Sequence, residues 1–505
     1  MGRCWVSERV TKPGEDGLTA WPWLNVILMV IGGLLLAVLA IVLGWLFGSQ
    51  IMDDKWELMV PLVGLAAYSV VALIDARVGF LTWIVTAPFS RFIHLDLDLG
   101  RGIPNITLSR VMTGVLLVLL LAQMATHKRR APRLTWADGL VLAWAGAMAL
   151  SVPSAISGLK YASQTFFDYV LTPVAVYFIA RILITNRREL RSMMVALMII
   201  GVYMGIMATH EQLTGKVIFY VANRSVYYTA SLRRVVGLLG NPAFVAVCCS
   251  MGVPWALYLL LYGKGRKMPA LLALVAMVSG IFFCMNRSAW IGLALSLLVM
   301  AVLVKRFRGV FVLLLASAAV MAGVYWALIT ASPVVRERLQ AQGPIDYRVE
   351  AWTVAVEMIR DYPMFGVGFD NYRLLYQRYG YWDVYLRNLP SPHNTYLWVW
   401  VTAGLVAFIP FMLYLISLAA IALGFMRRSR QNPDSDEGVI GGVFLASMAS
   451  VLAPAFVMDV IAGNYNTMLM FMIMGAFVGY VKAQPRQRRH ERGWVRQMLL
   501  EGTES

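Results

Sequence analysis

The sequence has 505 residues, of which 59% are hydrophobic and only 14% are charged. Apolar runs long enough to cross a bilayer recur from end to end, which excludes a soluble globular protein and is typical of a polytopic membrane protein. The formal net charge of +17 would suggest nucleic-acid binding in a soluble chain. Here the basic residues lie in the breaks between apolar runs, so they indicate membrane topology and no nucleic-acid partner is expected.

A polar leader occupies residues 1–21 and has neither the apolar core nor the small-residue cleavage site of a signal peptide. We therefore expect the first apolar run to remain in the mature protein. Of the four cysteines, Cys4 lies in the leader, and Cys248, Cys249 and Cys284 lie inside apolar runs. This spacing favours packing over a metal site or a disulfide framework.

Apolar segments separated by polar breaks predict about fourteen helices. Two of them, 78–89 and 137–152, are short for a full crossing, so the predicted fold is an all-α bundle of about 12 to 14 transmembrane spans. The bundle has an N-terminal part at 22–329 and C-terminal transmembrane helices at 394–482. The predicted helices are 22–47, 57–74, 78–89, 106–124, 137–152, 166–184, 191–208, 241–262, 268–284, 288–305, 310–329, 394–424, 439–459 and 464–482.

The distribution of basic residues predicts the orientation of the bundle. When alternate loops are assigned to the two sides, 27 of the 44 Lys and Arg residues fall on one side and 17 on the other. The positive-inside rule makes the first side cytoplasmic, so both termini are expected inside the cell. The basic tail at 483–505 is then expected to contact anionic membrane lipids.

Two polar segments on the outer side, 209–240 and above all 330–393, are too long to be simple connections, and loops of this length are usually functional. The large extracytoplasmic loop 330–393 is predicted to contain an amphipathic helix, followed by the Gly-rich run "FGVGFDNY", which favours a tight turn over a phosphate-binding loop. The predicted apolar face of the helix consists of Val349, Trp352, Val356 and Ile359.

Three arginines lie at predicted outer helix mouths: Arg233 and Arg234 before the helix at 241–262, and Arg287 between two helices. A single arginine in such a place can simply extend its guanidinium group to the lipid headgroups. Three on one face favour an anionic ligand, and guanidinium groups suit phosphate because they can donate two parallel hydrogen bonds to its oxygens.

His393 and Asn394 stand where the large loop meets the next apolar run, directly after Pro392. A lone histidine in this position has two interpretations: a structural residue at a helix start, or a general base that serves a substrate. Asn394 could position a polar substrate or the loop.

Several mechanisms have no support in the sequence. No GxxxxGK[ST] loop, HExxH motif or paired-cysteine motif occurs. Asp96 and Asp98 form a DxD pattern that holds a metal and a nucleotide sugar in soluble sugar transferases, but its loop is predicted outside, away from nucleotide sugars. Neither a metal nor a cofactor is therefore predicted.

The motifs as a set resemble the O-antigen ligase and polymerase superfamily of bacterial envelope glycosyltransferases. The resemblance covers residues 165–425 and is strongest over 346–407. The segments that carry it are Arg234, Gly237, Asn241 and Pro242 in an Arg-x-x-Gly-x-x-x-Asn-Pro pattern, "NRSAW" at 286–290, "YRVEAWTVAVEMIRDYPMFGVGFDNY" and "HNTYLWVWVTAGLVAF".

The resemblance implies a fold like that of C-type glycosyltransferases and a site at the periplasmic face of the bacterial inner membrane. It implies a donor glycan on undecaprenyl pyrophosphate and metal-independent transfer with inversion. Arg234 and Arg287, with Arg233 beside them, would bind pyrophosphate, and His393 would serve the acceptor. Arg348 matches a recurring family arginine, whose role would be either substrate contact or a salt bridge that holds the loop.

Ligase and polymerase remain alternatives, because the acceptor is lipid A core in one case and a growing glycan in the other. The ligase interpretation is favoured. A membrane transporter is a further alternative, but it should show inverted repeats and ionisable groups near the midplane. This chain departs from the family pattern at Thr402, where members often carry a glutamate, and at Ala407, where they carry a glycine.

Overall fold

The computed structural model describes residues 59–92, 105–129, 131–219, 237–265, 267–313, 343–379, 391–429 and 437–501, with the isolated residues 96–97, 228–229, 232–233, 235, 316 and 319. The predicted leader, the predicted span 22–47, most of the predicted span 310–329 and Arg234 lie outside the described residues. Side chains in the last helix are described only as far as Gln484.

The described part of the chain is helical almost throughout, which confirms the all-α prediction. Eight of its helices are long and apolar enough to cross a membrane, and three more apolar helices are shorter. The helices are α1 (Met59–Ile74), α2 (Ala76–Thr86), α3 (Leu108–Ala125), α4 (Trp136–Leu150), α5 (Leu159–Leu183), α6 (Arg187–Thr214), α7 (Pro242–Tyr262), α8 (Met268–Phe283), α9 (Arg287–Leu303), α10 (Gly343–Asp361), α11 (Tyr372–Tyr379), α12 (Thr395–Ser429), α13 (Glu437–Leu452) and α14 (Asn464–Glu501).

Strands contribute little to the described fold. Two antiparallel pairs of two residues each are present, β1 (Asp96–Leu97) with β2 (Ile106–Thr107) and β3 (Tyr228–Thr229) with β4 (Leu232–Arg233). Short 3-10 turns at Ala87–Phe92, Val152–Ser154 and Pro454–Phe456 follow α2, α4 and α13. All of these short elements lie in the connections between helices, so the fold is a helical bundle.

Asparagines set the starts of the two helices that follow the arginine motifs. The Asn241 side chain accepts a hydrogen bond from the Ala243 N–H before α7, and Pro242 occupies the first helical position, where its missing N–H costs nothing. Asn286 accepts from the Ala289 N–H in the same way before α9. The Asn-Pro and Asn-Arg motifs therefore have a local structural role as helix caps.

The bundle core is formed by α5, α7, α13 and α14, with α14 packed closely along α5. A side chain at Gly475 would overlap the Tyr177 carbonyl, so only glycine permits this approach. A buried ion pair, Arg181 to Asp138 at 2.9 Å, joins α5 to α4 near the ends predicted to be cytoplasmic, and the Tyr177 hydroxyl donates to Asp138 at 2.8 Å. Pairing offsets the cost of burying these charges.

The ends of α9, α12 and α13 that carry Arg287, Thr395 and Leu452 lie together with α10. We call this the outer end, after the orientation that the charge distribution predicts. The candidate functional residues that the structure describes lie at this end.

Candidate functional site at the outer end

His393 occupies a strained turn immediately before α12. Its φ of +47° lies in the left-handed region that residues other than glycine rarely adopt, at a cost of about 1 kcal/mol or more. The next residue, Asn394, is buried and caps α12, because its side-chain oxygen accepts from the N–H groups of Tyr396 and Leu397 at 2.9 and 3.1 Å. The oxygen of Asn394 therefore has a structural role in fixing the turn that presents His393.

The carboxylate of Asp459 holds this turn in place. Asp459 is 5% exposed and follows the 3-10 turn after α13. Its Oδ2 accepts from the His393 backbone N–H at 3.1 Å and from the Ser391 hydroxyl, and it lies 3.8 Å from His393 Nδ1. The same carboxylate thus fixes the backbone of His393 and faces its ring, which is an arrangement typical of an oriented general base.

Helix α10 covers the other side of His393. The Tyr347 ring lies 5.3 Å from the imidazole ring, between centroids, and the next residue is the partly buried Arg348. Arg348 lies within electrostatic range of both His393 and Arg287, the first residue of α9. Four groups that are far apart in the sequence, Arg287, Arg348, His393 and Asp459, therefore surround one region of the outer end.

The charges in this cluster act in opposite directions on His393. Burial lowers the pKa of the His393 imidazole below its usual value, the Asp459 carboxylate raises it, and the Arg348 guanidinium lowers it, with burial the largest effect. Burial likewise raises the pKa of Asp459. A neutral imidazole with a free lone pair is the form that accepts a proton, so the net lowering suits a base that works near neutral pH.

Arg287 also acts on Arg348. Burial and the neighbouring charge of Arg287 lower the pKa of Arg348. Two guanidinium groups within electrostatic range of each other create a positive potential that attracts an anion, and phosphate oxygens are suitable acceptors for guanidinium donors.

The predicted amphipathic helix of the large loop is present as α10, but it buries a different stripe from the predicted one. Val349 and Val356 stay 53% and 38% exposed, and among the predicted apolar positions Ile359 is the one that is buried. The predicted face was based on large apolar side chains only. The alanines of α10 are small, and this lets α10 approach α12 closely. The buried stripe consists of Ala351, Val354, Ala355, Met358 and Ile359.

Helix α12 is broken about three turns beyond His393. Ala403 and Gly404 have φ values of −135° and +68°, so the helical hydrogen bonds are interrupted there. The Gly-rich turn after α10 bonds the freed backbone groups, which is how broken helices are tolerated in membrane proteins. The four bonds run from Val367 N–H to the Val401 carbonyl at 2.8 Å, Gly368 N–H to Thr402 at 3.1 Å, Leu405 N–H to Pro363 at 2.9 Å and Val406 N–H to Met364 at 3.3 Å.

We call these four hydrogen bonds the joint. The Gly-rich run forms a tight turn, as predicted, with positive φ at Gly366 and Gly368, and the N–H groups of Val367 and Gly368 donate to carbonyls of α12. Thr402 is part of the same joint. It is 2% exposed, and its carbonyl accepts from the Gly368 N–H. The carboxylate beside His393 comes from Asp459 instead, on a different segment of the chain.

We expect Gly404→Ala to destabilise the joint. The new side chain would require a left-handed backbone and would overlap the Met364 carbonyl, so the cost should be about 2 kcal/mol or more. Gly146→Ala in α4 is the matched control, since nothing lies within 4 Å of the added carbon, and it should be neutral or stabilising by up to ~1 kcal/mol. Melting temperatures of the two purified variants, followed by tryptophan fluorescence, test this; equal values would contradict it.

The structure brings together His393, Arg287 and Arg348, which sequence reasoning named, and it adds Asp459, which sequence reasoning missed. Arg233 lies in β4, where its side chain is not described, and Arg234 lies outside the described residues. The signal that could have revealed Asp459 is its position as a lone carboxylate in the apolar stretch "VLAPAFVMDVIAG", because ionisable residues in such places are costly and usually functional.

Within the described ranges, no group of three or more His, Cys, Asp or Glu side chains could hold a metal ion. Asp98 of the DxD pattern lies outside those ranges, and the Asp96 side chain is not described.

Comparison with known proteins gives one family match. Residues 272–412 match a family model described as O-antigen ligase. The matched segment runs from α8 into the first part of α12 and includes Arg287, Arg348 and His393; Asp459 lies beyond it. No curated protein matches the chain.

Proposed function

Because its domain at residues 272–412 makes this chain a member of the O-antigen ligase and polymerase superfamily, we propose that it transfers a glycan from undecaprenyl pyrophosphate to an acceptor hydroxyl at the outer face of the bacterial inner membrane. The family consists of membrane enzymes that transfer glycosyl groups.

The observation that carries this proposal is the cluster of Arg287, Arg348, His393 and Asp459 at one end of the bundle. In the proposed reaction the acceptor oxygen attacks the anomeric carbon while the bond from that carbon to the pyrophosphate oxygen breaks. The proton of the acceptor hydroxyl goes to His393, and the electron pair of the broken bond leaves with pyrophosphate. Displacement from the opposite face inverts the anomeric centre.

Each member of the cluster suits one part of this reaction. Asp459 faces Nδ1 of His393, so Nε2 is the atom that would accept the proton. Arg287 and Arg348 would bind the pyrophosphate and stabilise the charge that develops on it, together with Arg233 and Arg234 from the loop before α7. Guanidinium groups would thus take the part that a metal ion plays in many phosphate-releasing enzymes, and we propose a metal-independent transferase.

Ligase and polymerase activity would use the same donor and differ in the acceptor, which we propose to be lipid A core for the ligase. The glycan profile of a deletion strain tests the function and separates the two. Full-length glycan left unattached to lipid A core indicates a ligase, and single repeat units indicate a polymerase. A profile identical to that of the parent strain would contradict the proposed function.

We expect Arg287→Lys to weaken use of the donor even though the charge is retained. Lysine cannot donate two parallel hydrogen bonds to one phosphate, so the KM for the donor should rise by about tenfold. Arg234→Lys should behave in the same way. Arg306→Lys, near the opposite end of α9, is the matched control. If the KM for the donor is unchanged in Arg287→Lys and in Arg234→Lys, these arginines only contact lipid headgroups.

A further inference from the structure

The turn after α10 exposes an uninterrupted apolar segment, residues 362–365. The side chains of Tyr362, Met364 and Phe365 are 52%, 51% and 75% exposed, and Pro363 between them is exposed as well. Turns that face water are normally polar, because apolar side chains in water raise the free energy of the protein. We call these four residues the apolar tip.

The apolar tip lies beside the break in α12. The Pro363 carbonyl accepts from the Leu405 N–H at 2.9 Å and from the Trp400 indole N–H at 3.3 Å. The Met364 carbonyl accepts from the Val406 N–H at 3.3 Å. The position of the tip along α12 is therefore fixed at the first residues after the break.

The part of α12 that follows the break has the character of a lipid-facing span. Of its most apolar stretch only 28% is buried inside the protein, whereas the figure is 89% for α14. A helix that is so apolar and has so little protein around it is stable where hydrocarbon covers it. One exposed stripe at helical spacing consists of Val406, Ile409, Leu413 and Ile416, at 39%, 50%, 46% and 59% exposure.

The length of this part of α12 matches the thickness of a bilayer. Arg427 and Arg428 end the apolar run, and basic residues in this position lie at the headgroups. Arg427 follows Val406 by 21 residues, which corresponds to about 32 Å along an α-helix. The hydrocarbon core of a bilayer is about 30 Å thick. With the arginines at one headgroup region, Val406 and the apolar tip beside it lie at the other.

We propose that the apolar tip inserts into the outer leaflet of the membrane and anchors the large loop there. Met364 and Phe365 would enter the outermost part of the hydrocarbon. Tyr362 and Trp400 would lie at the headgroup level, where aromatic rings with one polar atom are enriched. The exposed Arg360 in the last turn of α10 would reach lipid phosphate.

The anchor would act on the site through the joint. The tip runs directly into the Gly-rich turn, whose hydrogen bonds hold the arm of α12 that begins two residues after His393. Insertion of the tip would therefore keep the large loop and this arm at a fixed depth relative to the lipid. The inference does not depend on the reaction that the site carries out.

A fluorescent label on the tip tests the proposal. Phe365→Cys is made together with Cys4→Ser, because the other cysteines, Cys248, Cys249 and Cys284, are buried. The full chain is labelled with an environment-sensitive nitrobenzoxadiazole group in nanodiscs of phosphatidylcholine and phosphatidylglycerol. Quenching by iodide in the water is compared with quenching by lipids that carry a nitroxide near the headgroup or near the end of the acyl chain.

The label at Phe365→Cys is expected to be quenched by iodide about fivefold less than a label at Gln377→Cys, an exposed polar position on α11. The shallow nitroxide should quench it more than the deep one. Ile416→Cys, ten residues or about 15 Å further along α12 than Val406, should show the reverse order of the two nitroxides. Met364→Cys should repeat the result of Phe365→Cys, so the test does not depend on one variant.

Two outcomes would overturn the anchor. Iodide quenching at both tip positions as strong as at Gln377→Cys, with no quenching by either lipid nitroxide, would place the tip in water. Protection from iodide and from both nitroxides would mean that protein covers the tip, either a second copy or another segment of this chain. Because no donor, acceptor or transfer rate enters the measurement, its result is independent of the proposed function.

Discussion

His393→Ala is expected to reduce glycan transfer at least about a hundredfold, because it removes the group proposed to take the acceptor proton. The variant should still insert in the membrane and bind the donor, since His393 lies outside the apolar run and its ring contributes little to the core. The measurement is the rate of transfer by the purified protein, together with its dissociation constant for the lipid donor.

The control for this change is His127→Ala. His127 is another non-glycine residue with positive φ, at 56°, in the loop after α3 on the predicted cytoplasmic side. It matches His393 in side chain and in backbone conformation but lies away from the cluster. Normal transfer by His393→Ala would remove the proposed role of the histidine, and an equal loss in both variants would point to folding.

The second large effect concerns pH. Asp459→Asn keeps an oxygen for the His393 N–H and the Ser391 hydroxyl but removes the charge that favours the imidazolium ion. The pKa of His393 should fall further, so the acid limb of the rate profile should move to lower pH. The plateau rate should also drop by about tenfold, because a less basic imidazole accepts the proton less readily.

Arg348→Gln should move the same limb in the opposite direction. The Arg348 charge lowers the pKa of His393, so its removal raises that pKa and shifts the acid limb to higher pH. Arg348→Lys keeps the charge and should restore the wild-type limb. Asp361→Asn, a carboxylate on α10 that accepts from Tyr379, should leave the profile unchanged. If Asp459→Asn lowers the rate at all pH values without moving the limb, Asp459 is structural and does not tune the base.

Asp459 supplies the carboxylate that faces His393 in this chain. The sequence departs from the family pattern at Thr402, where the resemblance implies a glutamate. In this chain Thr402 is committed to the backbone joint of the broken helix, and the carboxylate comes from the segment after α13. The same electrostatic requirement is met from another element.

The broken helix also bears on the alternative of a transporter, for which such breaks are typical. At Gly404 the freed carbonyl and N–H groups are bonded by the Gly-rich turn of the same chain. The break therefore serves to fix the large loop to the helix that carries His393, and it presents no backbone groups of these four bonds to a transported ion.

The family resemblance found in the sequence covers more of the chain than the family match does. The resemblance covers residues 165–425 and the match runs over 272–412. Both contain the large loop and the start of α12, where motif residues are dense. Asp459 belongs to neither, which explains why neither pointed to it.

Hydrophobic patterning alone determined the helices of this protein. In lipid every backbone polar group must be bonded within the protein, so a long apolar run has little alternative to a helix. Most of the described helices accordingly lie within a few residues of their predicted positions. The exceptions are α5, which begins earlier, α13, which ends earlier, α6, α12 and α14, which extend beyond the apolar run, and α11, which was not predicted. Local chemistry likewise determined the asparagine caps and the tight turn at the Gly-rich run.

Only the tertiary structure decided which side chains meet. Asp459 reaches His393 across 66 residues of sequence, and α10 brings Arg348 to both His393 and Arg287. The face that α10 buries was likewise decided by the shape of α12, against which its alanines fit. Periodicity and hydropathy describe one element at a time. These contacts depend instead on which helices are neighbours in the bundle, and that is set by close packing between elements distant in the chain.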